Sequence, residues 1–358
     1  MLRKTHTLRL DYETKSLLDI KEVGARKYIT DPAAEAAVLL AAFQVDDGPV
    51  YQWDFSKPDK EVLDYLRWFL NDSMTTKMAF NAPFEMVVTQ HLLDVPVVPS
   101  EWVCTMAWAY ARGFTGRMHN VGAQIGVSDE KAKRAEGTRL ITRFCCPPFV
   151  SPEEDPVRWE MFRDYNRQDV VAERAIADYL APYPLSDDER DLWVWDQHVN
   201  SRGIPIDLPA VNAAIGLAED ETAHLLQKIQ DLTGLANPNS RDQVLNWLRD
   251  NEYPYDNLQK QSLLNAVARD PFAPYQEVVE LRLAVAKAAA KKFYQARNTQ
   301  IDERIYDTLQ IWGAGRTARW SGRGFQIHNQ LRPTIKDPEQ VADWLHDGHT
   351  ELIKAVFG

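Results

Sequence analysis

The sequence has 358 residues, 45% of them hydrophobic and 26% charged, the make-up of a folded globular protein with room for two domains and not of a disordered or fibrous chain. A formal net charge of −11 argues against a protein that coats nucleic acid through bulk charge. Cys104, Cys145 and Cys146 show no paired zinc spacing and are too few for a disulfide framework, so a reducing cytoplasm is the expected compartment. The longest apolar run, residues 36–43, is 8 residues against the ~20 that cross a bilayer, so neither a signal peptide nor membrane association is expected.

Residues 8–13 alternate at period two, and residues 37–45 and 50–55 are apolar and aromatic runs separated by Asp-Asp-Gly-Pro; together they predict a three-stranded antiparallel start. Residues 59–70 place Val62, Leu63, Leu66, Phe69 and Leu70 on one face of a helix, and the β-prone residues 75–80 follow as a strand. Pro83 sits in the first turn of another helix reaching about Leu93, after which residues 103–105 are a short strand candidate. Ser151 predicts the start of a long helix through Trp159, Phe162, Tyr165 and Asp169 to Tyr179. The sum is an α/β domain with a mixed sheet. Residues 182–186 read as a linker. Beyond them the pattern turns mostly helical, at 189–200, 209–233, 241–250 and 275–299, with a capping turn at 237–240 and a short hairpin arm at 204–207. Residues 313–324, rich in glycine, are too irregular for a helix. Residues 282–332 hold 10 basic and 3 acidic residues, an excess that either a solvated helix face or phosphate binding explains.

Three carboxylate placements carry the chemistry. Asp11 and Glu13 lie two apart in a predicted strand and project from one face; repulsion and lost hydration there are relieved by a divalent cation, while an exposed strand face is the plain alternative. Glu85 stands in the first turn of a helix entered from a strand, behind Asn81, where an acid also simply favours the macrodipole. Tyr165 and Asp169 are four apart on the long helix and share a face.

In this order, Asp11-Tyr12-Glu13, Asn81-Ala82-Pro83-Phe84-Glu85 and Tyr165-Asn166-Arg167-Gln168-Asp169 resemble the three motifs of the proofreading 3′→5′ exonucleases, which carry four acids and a tyrosine on an RNase H-like fold. The resemblance covers roughly residues 5–180, with Glu85 where the commonest form has aspartate. It implies phosphodiester hydrolysis with two Mg²⁺ or Mn²⁺ ions, hard cations suited to oxygen ligands. Asp11 would bridge both ions, Glu13 and Asp169 would bind the water-activating one, and Glu85 would hold the second through water. Tyr165 with Glu13 would orient the attacking water.

Residues 313–332 supply four arginines, glycines, hydroxyls and amides suited to phosphate and base edges. They resemble the thumb-to-palm strand of family A DNA polymerases of the bacterial polymerase I type, and residues 202–207, the 237–240 turn and the Lys-rich helix recur there in the same order. The resemblance implies that Arg319, Ser321, Gln326 and Asn329 touch primer–template, with Asn81, Lys287, Lys291 and Arg316 as further DNA-binding candidates. It implies an exonuclease domain at 1–184, then a mostly helical thumb and beginning of the palm at 185–358. The family's polymerase motifs lie downstream, and 26 residues follow Arg332, so nucleotide addition by this chain alone is not expected. His346 and His349, separated by Gly348, read as solvent-exposed. The expected function is a proofreading exonuclease of a phage-type polymerase, acting on single-stranded 3′ ends and primer–template in the host cytoplasm. The alternatives are a non-catalytic primer–template scaffold that completes a polymerase with a separate C-terminal chain and, third, an RNA-trimming exonuclease of the same fold.

Overall fold

Alternation at period two sets the orientation of β1 (His6–Lys15): Leu8, Leu10 and Tyr12 enter the main core, and Arg9, Asp11 and Glu13 take the opposite face. The computed structural model describes residues 5–127, 131–287, 290–329 and 335–357, with the side chains of 131–136 and 287 outside that description. It centres β1 in a five-stranded mixed sheet of order β3–β2–β1–β4–β5. As predicted, β2 (Ala37–Val45) and β3 (Val50–Asp54) pair antiparallel with β1 and with each other in turn, whereas β4 (Thr75–Ala79) and β5 (Trp102–Cys104) add in parallel.

Between the first two strands run α1 (Ile20–Val23) and α2 (Ala25–Thr30). α3 (Lys60–Asn71) starts where Asp59 accepts the backbone N–H groups of Glu61 and Val62. With α4 (Ala82–His91) it buries Leu66, Phe69, Met86 and Val88 against one face of the sheet. α5 (Thr105–Ala111), α6 (Met118–Gln124), α7 (Lys131–Cys145) and α8 (Pro156–Leu180) follow. Leu140 and Phe144 of α7 and Trp159 and Phe162 of α8 cluster with Leu39 and Leu40 of β2. The predicted start of the long helix at Ser151 is early. Ser151 and Glu154 exchange side-chain-to-backbone hydrogen bonds in a turn, and the helix begins at Pro156, with Asp155 accepting from the N–H of Arg158 at 3.2 Å.

Residues 182–186 lead into α9 (Asp187–Arg202), which Ser186 and Glu189 close with a capping box. Contacts divide the chain further on, into a first unit of Met1–Pro205 with Asn298–Leu331 and a second of Ile206–Arg297 with Arg332–Gly358. The 184/185 boundary read from the linker therefore lies inside the first unit. In place of a local hairpin arm, β6 (Ile204–Pro205) pairs with the distant β7 (Arg304–Ile305). β8 (Leu309–Ala314) and β9 (Arg319–Gly322) form an antiparallel hairpin from the glycine-rich segment. A side chain at Gly313 would overlap the Ser321 hydroxyl, so only glycine lets these strands close. Asn200 of α9 bonds both the N–H and the carbonyl of Leu309, each at 3.0 Å.

The second unit is helical: α10 (Leu208–Thr233), α11 (Arg241–Asp250), α12 (Lys260–Arg269), α13 (Gln276–Lys287), α14 (Lys291–Thr299, whose last turn carries the division), α15 (Pro338–His346) and α16 (Thr350–Phe357). The predicted stretch 275–299 is thus two helices. Asp207 caps α10, Gly234 ends it at φ 67°, and Ser240 caps α11. Ile229, Val244, Leu248, Tyr253 and Val279 form the core. His346 is exposed and shares a hydrogen bond with Asp207 at 2.7 Å. Burial pushes the free Cys104 thiol up to about 11 and the Cys145 thiol well up, consistent with packing roles. Among the described residues no helix is long and apolar enough to cross a membrane.

Candidate active site

Asp11 and Glu13 leave β1 opposite Ala42 and Leu40 of β2, neighbours that offer no compensating charge. From α8, Asp169 approaches the same spot, and carboxylate oxygens of Asp11, Glu13 and Asp169 all lie within 4.8 Å of one another. Burial is the first cause that raises the proton affinity of each. It holds the Asp11 carboxyl well above its ordinary range, with the charges of Asp169, Glu13 and Glu85 adding to it. Glu13 is raised likewise by burial and then by Asp169 and Glu85. Asp169 is pushed up to about 7 by burial, with the neighbouring Tyr165 hydroxyl acting in the opposite sense. That phenol is itself held well above its usual range by burial and by Asp169, Glu13 and Asp11.

Glu85 sits in the first turn of α4, at the edge where β4 ends. It is buried and pushed up to about 8, by burial first and also by Glu173, against its own backbone N–H. It is outside the close trio, yet its charge raises both Asp11 and Glu13. Among the described residues its buried Oε2 has no hydrogen-bond partner. Four crowded carboxylates with raised proton affinity and one orphan oxygen are a donor set that a hard divalent cation satisfies, and the all-oxygen chemistry disfavours zinc.

Several residues at the site carried no role in the sequence reading. Asn166 is fully buried and donates to Asp11 Oδ2 at 2.8 Å and to the Asp11 carbonyl at 3.1 Å. Its own oxygen accepts from Gln52 of β3 at 2.9 Å. Glu173, one turn beyond Asp169, is buried and pushed up to about 7 by burial; it accepts from Thr105 and lies 3.7 Å from Arg9. Their signals were available, as a polar residue next to Tyr165 and an acid four residues after Asp169. The partners that give them meaning come from other parts of the chain.

The DNA-binding candidates are spread over both units. Arg316 and Arg319 are exposed on the β8–β9 hairpin, Ser321 is half-buried in β9, and Gln326 accepts a hydrogen bond from Asn329 at 2.9 Å. Lys291 is exposed on α14 of the second unit; the Lys287 side chain and Arg332 lie outside the described residues. Asn81 precedes α4 without capping it, and its oxygen accepts instead from Arg323, which follows β9, at 3.3 Å. Arg323 was not singled out in the sequence.

The mixed sheet with its carboxylate cluster on β1 and α8 is followed along the chain by a helical unit, and over almost its whole length the chain is similar to part of a phage DNA polymerase. It is 33% identical over 363 aligned residues to the DNA polymerase of Bacillus phage SP02, a match that covers 98% of this chain and 55% of that protein. The chain thus spans about half the length of the curated relative it matches. A solved structure of the polymerase domain of Pol1 from M. smegmatis, in complex with DNA primer–template and dNTP, superposes with a TM-score of 0.52 at 16% identity, over 93% of this chain and 53% of that one. No protein-family model matches the chain.

Proposed function

We propose that this chain is a metal-dependent 3′→5′ DNA exonuclease, the proofreading portion of a family A polymerase, which releases mononucleotides from 3′ ends during DNA replication in the host cell. The observation that carries this reading is the convergence of Asp11, Glu13 and Asp169 within 4.8 Å, next to Tyr165 and the orphan oxygen of Glu85. On this reading residues 1–184 are an RNase H-like exonuclease domain and residues 185–358 the thumb and beginning of the palm.

Two Mg²⁺ or Mn²⁺ ions held by Asp11, Glu13 and Asp169, with Glu85 behind them, would supply Lewis-acid stabilisation of charge on the scissile phosphate. Asn166 fixes the Asp11 carboxylate through its 2.8 Å hydrogen bond. Tyr165, beside Asp169, orients the attacking water together with Glu13. Asn81 meets the strand at the site. Lys287, Lys291, Arg316, Arg319, Ser321, Gln326 and Asn329 contact primer–template.

A second reading, a non-catalytic primer–template-binding subunit that completes a polymerase with a separate chain, is favoured by exposed Leu192, Trp195 and Trp320. These flank a cavity of about 1190 Å³ in the first unit. Incubation of the protein with 3′-labelled single-stranded DNA and Mg²⁺ or Mn²⁺, beside Asp11→Ala and a dNTP-extension control, separates the two. Metal-dependent release of mononucleotides that the substitution abolishes is expected. A folded chain that binds primer–template and releases none would leave the second reading.

A further inference from the structure

Glycine is, after proline, the residue least suited to a helix interior, because it loses the most backbone freedom and packs no side chain. Gly137 nevertheless lies within α7 and is buried. The reason is on the neighbouring helix. A β-carbon at position 137 would fall 2.6 Å from Cε2 of Tyr165 and 3.1 Å from its Cδ2 and Cζ, inside van der Waals contact. The bare backbone of α7 is therefore a surface against which the Tyr165 ring rests. Two further features constrain that ring: it stacks on Phe162 at an interplanar angle of 9°, and its hydroxyl lies near enough to Asp169 for each group to perturb the other's proton affinity. A methyl group at 137 cannot be absorbed by a free swing of the ring, since any swing breaks the stack or carries the hydroxyl away from Asp169.

We propose that Gly137 is a positioning residue for the nuclease site: by having no side chain it seats the Tyr165 ring so that the hydroxyl stands at Asp169, within the field of Asp11 and Glu13. This rests on the exonuclease reading, and deepens it by giving α7 a part in the chemistry. Gly137 touches no reacting atom and acts only through Tyr165. Gly137→Ala is therefore expected to lower kcat tenfold or more on single-stranded DNA, with KM changed less than twofold and the circular-dichroism spectrum retained. In a Tyr165→Phe background the same substitution is expected to lower kcat less than twofold further, because both changes remove one hydroxyl from its place.

A melting cycle reads the contact without activity. Gly137→Ala should lower the melting temperature beside Tyr165 and raise it in Tyr165→Ala, where helix propensity acts alone. Wild-type kcat in Gly137→Ala, independent multiplication of the two losses, or a raised melting temperature in both backgrounds overturns the proposal. An inactive wild-type chain overturns the nuclease reading and the role of Gly137 in it together, whereas an active wild type with an unaffected Gly137→Ala overturns the second alone.

Discussion

At the scale of single residues, Asp11, Glu13, Glu85, Asp169 and Glu173 are crowded at a cost to folding, and that cost depends on pH. The folded chain holds Glu85 at about 8 and Asp169 and Glu173 at about 7, all above their ordinary values. Folding therefore takes up protons between their unfolded and folded pKa values. The stability these groups contribute is complete below the unfolded values and is lost as pH rises through 7 to 8. Glu189, held down to about 2 by Arg112, works in the opposite sense and only at more acid pH. The melting temperature of the metal-free protein is thus expected to fall between about pH 5.5 and about pH 8.5, and Mn²⁺ to restore part of it at the upper end. Asp11→Asn, with one charge fewer, should melt higher than wild type at about pH 8.5 without metal. A rise with pH over this range, or equal Mn²⁺ shifts in wild type and Asp11→Asn, would remove this account; calorimetry reads both. The acids were legible because spacing two in a strand and four in a helix fixes a shared face. Asn166 and Gln52 were not, because the hydrogen bonds that give them meaning span 155 and 114 residues.

At the scale of elements, helices that begin on a capping residue were read closely, as with Asp59 and Ser240. Ser151 misled because its pairing with Glu154 satisfies the same backbone groups in a turn as in a helix. α7 escaped because its apolar residues gather in its C-terminal half, so no full-length stripe marks it. The β8–β9 hairpin shows two uses of arginine that the sequence could not separate. Arg323 turns inward to Asn81, whereas Arg319 is exposed and free to meet a phosphate. Arg319→Ala is accordingly expected to weaken primer–template binding severalfold and to reduce the slope of log K against log salt by about 1. Fluorescence anisotropy over a salt series measures this, and an unchanged slope would take Arg319 off the DNA.

At the scale of the whole molecule, the first unit is discontinuous, and its stability depends on segments far along the chain. Its main core takes Trp193 from α9 and Ile311 from β8, both almost fully buried, with Val194 and Trp312 packed beside them. Glu189 of α9 holds Arg112 through two 2.9 Å hydrogen bonds, and Asp307 holds Arg26 through two at 3.2 Å. Proline and serine punctuation at 182–186 marked a change of element, which a sequence reading takes for a change of domain, since pairing between residues one hundred apart leaves no local trace. The carboxylates all precede residue 184, so a fragment 1–184 retains every acid of the site while losing these supports. Losing Trp193 and Ile311 from a core removes contacts worth about 2–5 kcal/mol each, a large share of the stability of an ordinary domain. The fragment is therefore expected to melt at least ten degrees lower than the first transition of the full chain, to bind the apolar dye ANS, and to hydrolyse single-stranded DNA more slowly. If it melts as cooperatively and as high as the full chain, the linker at 182–186 is a folding boundary after all, and the later segments only rest on a unit that is complete without them.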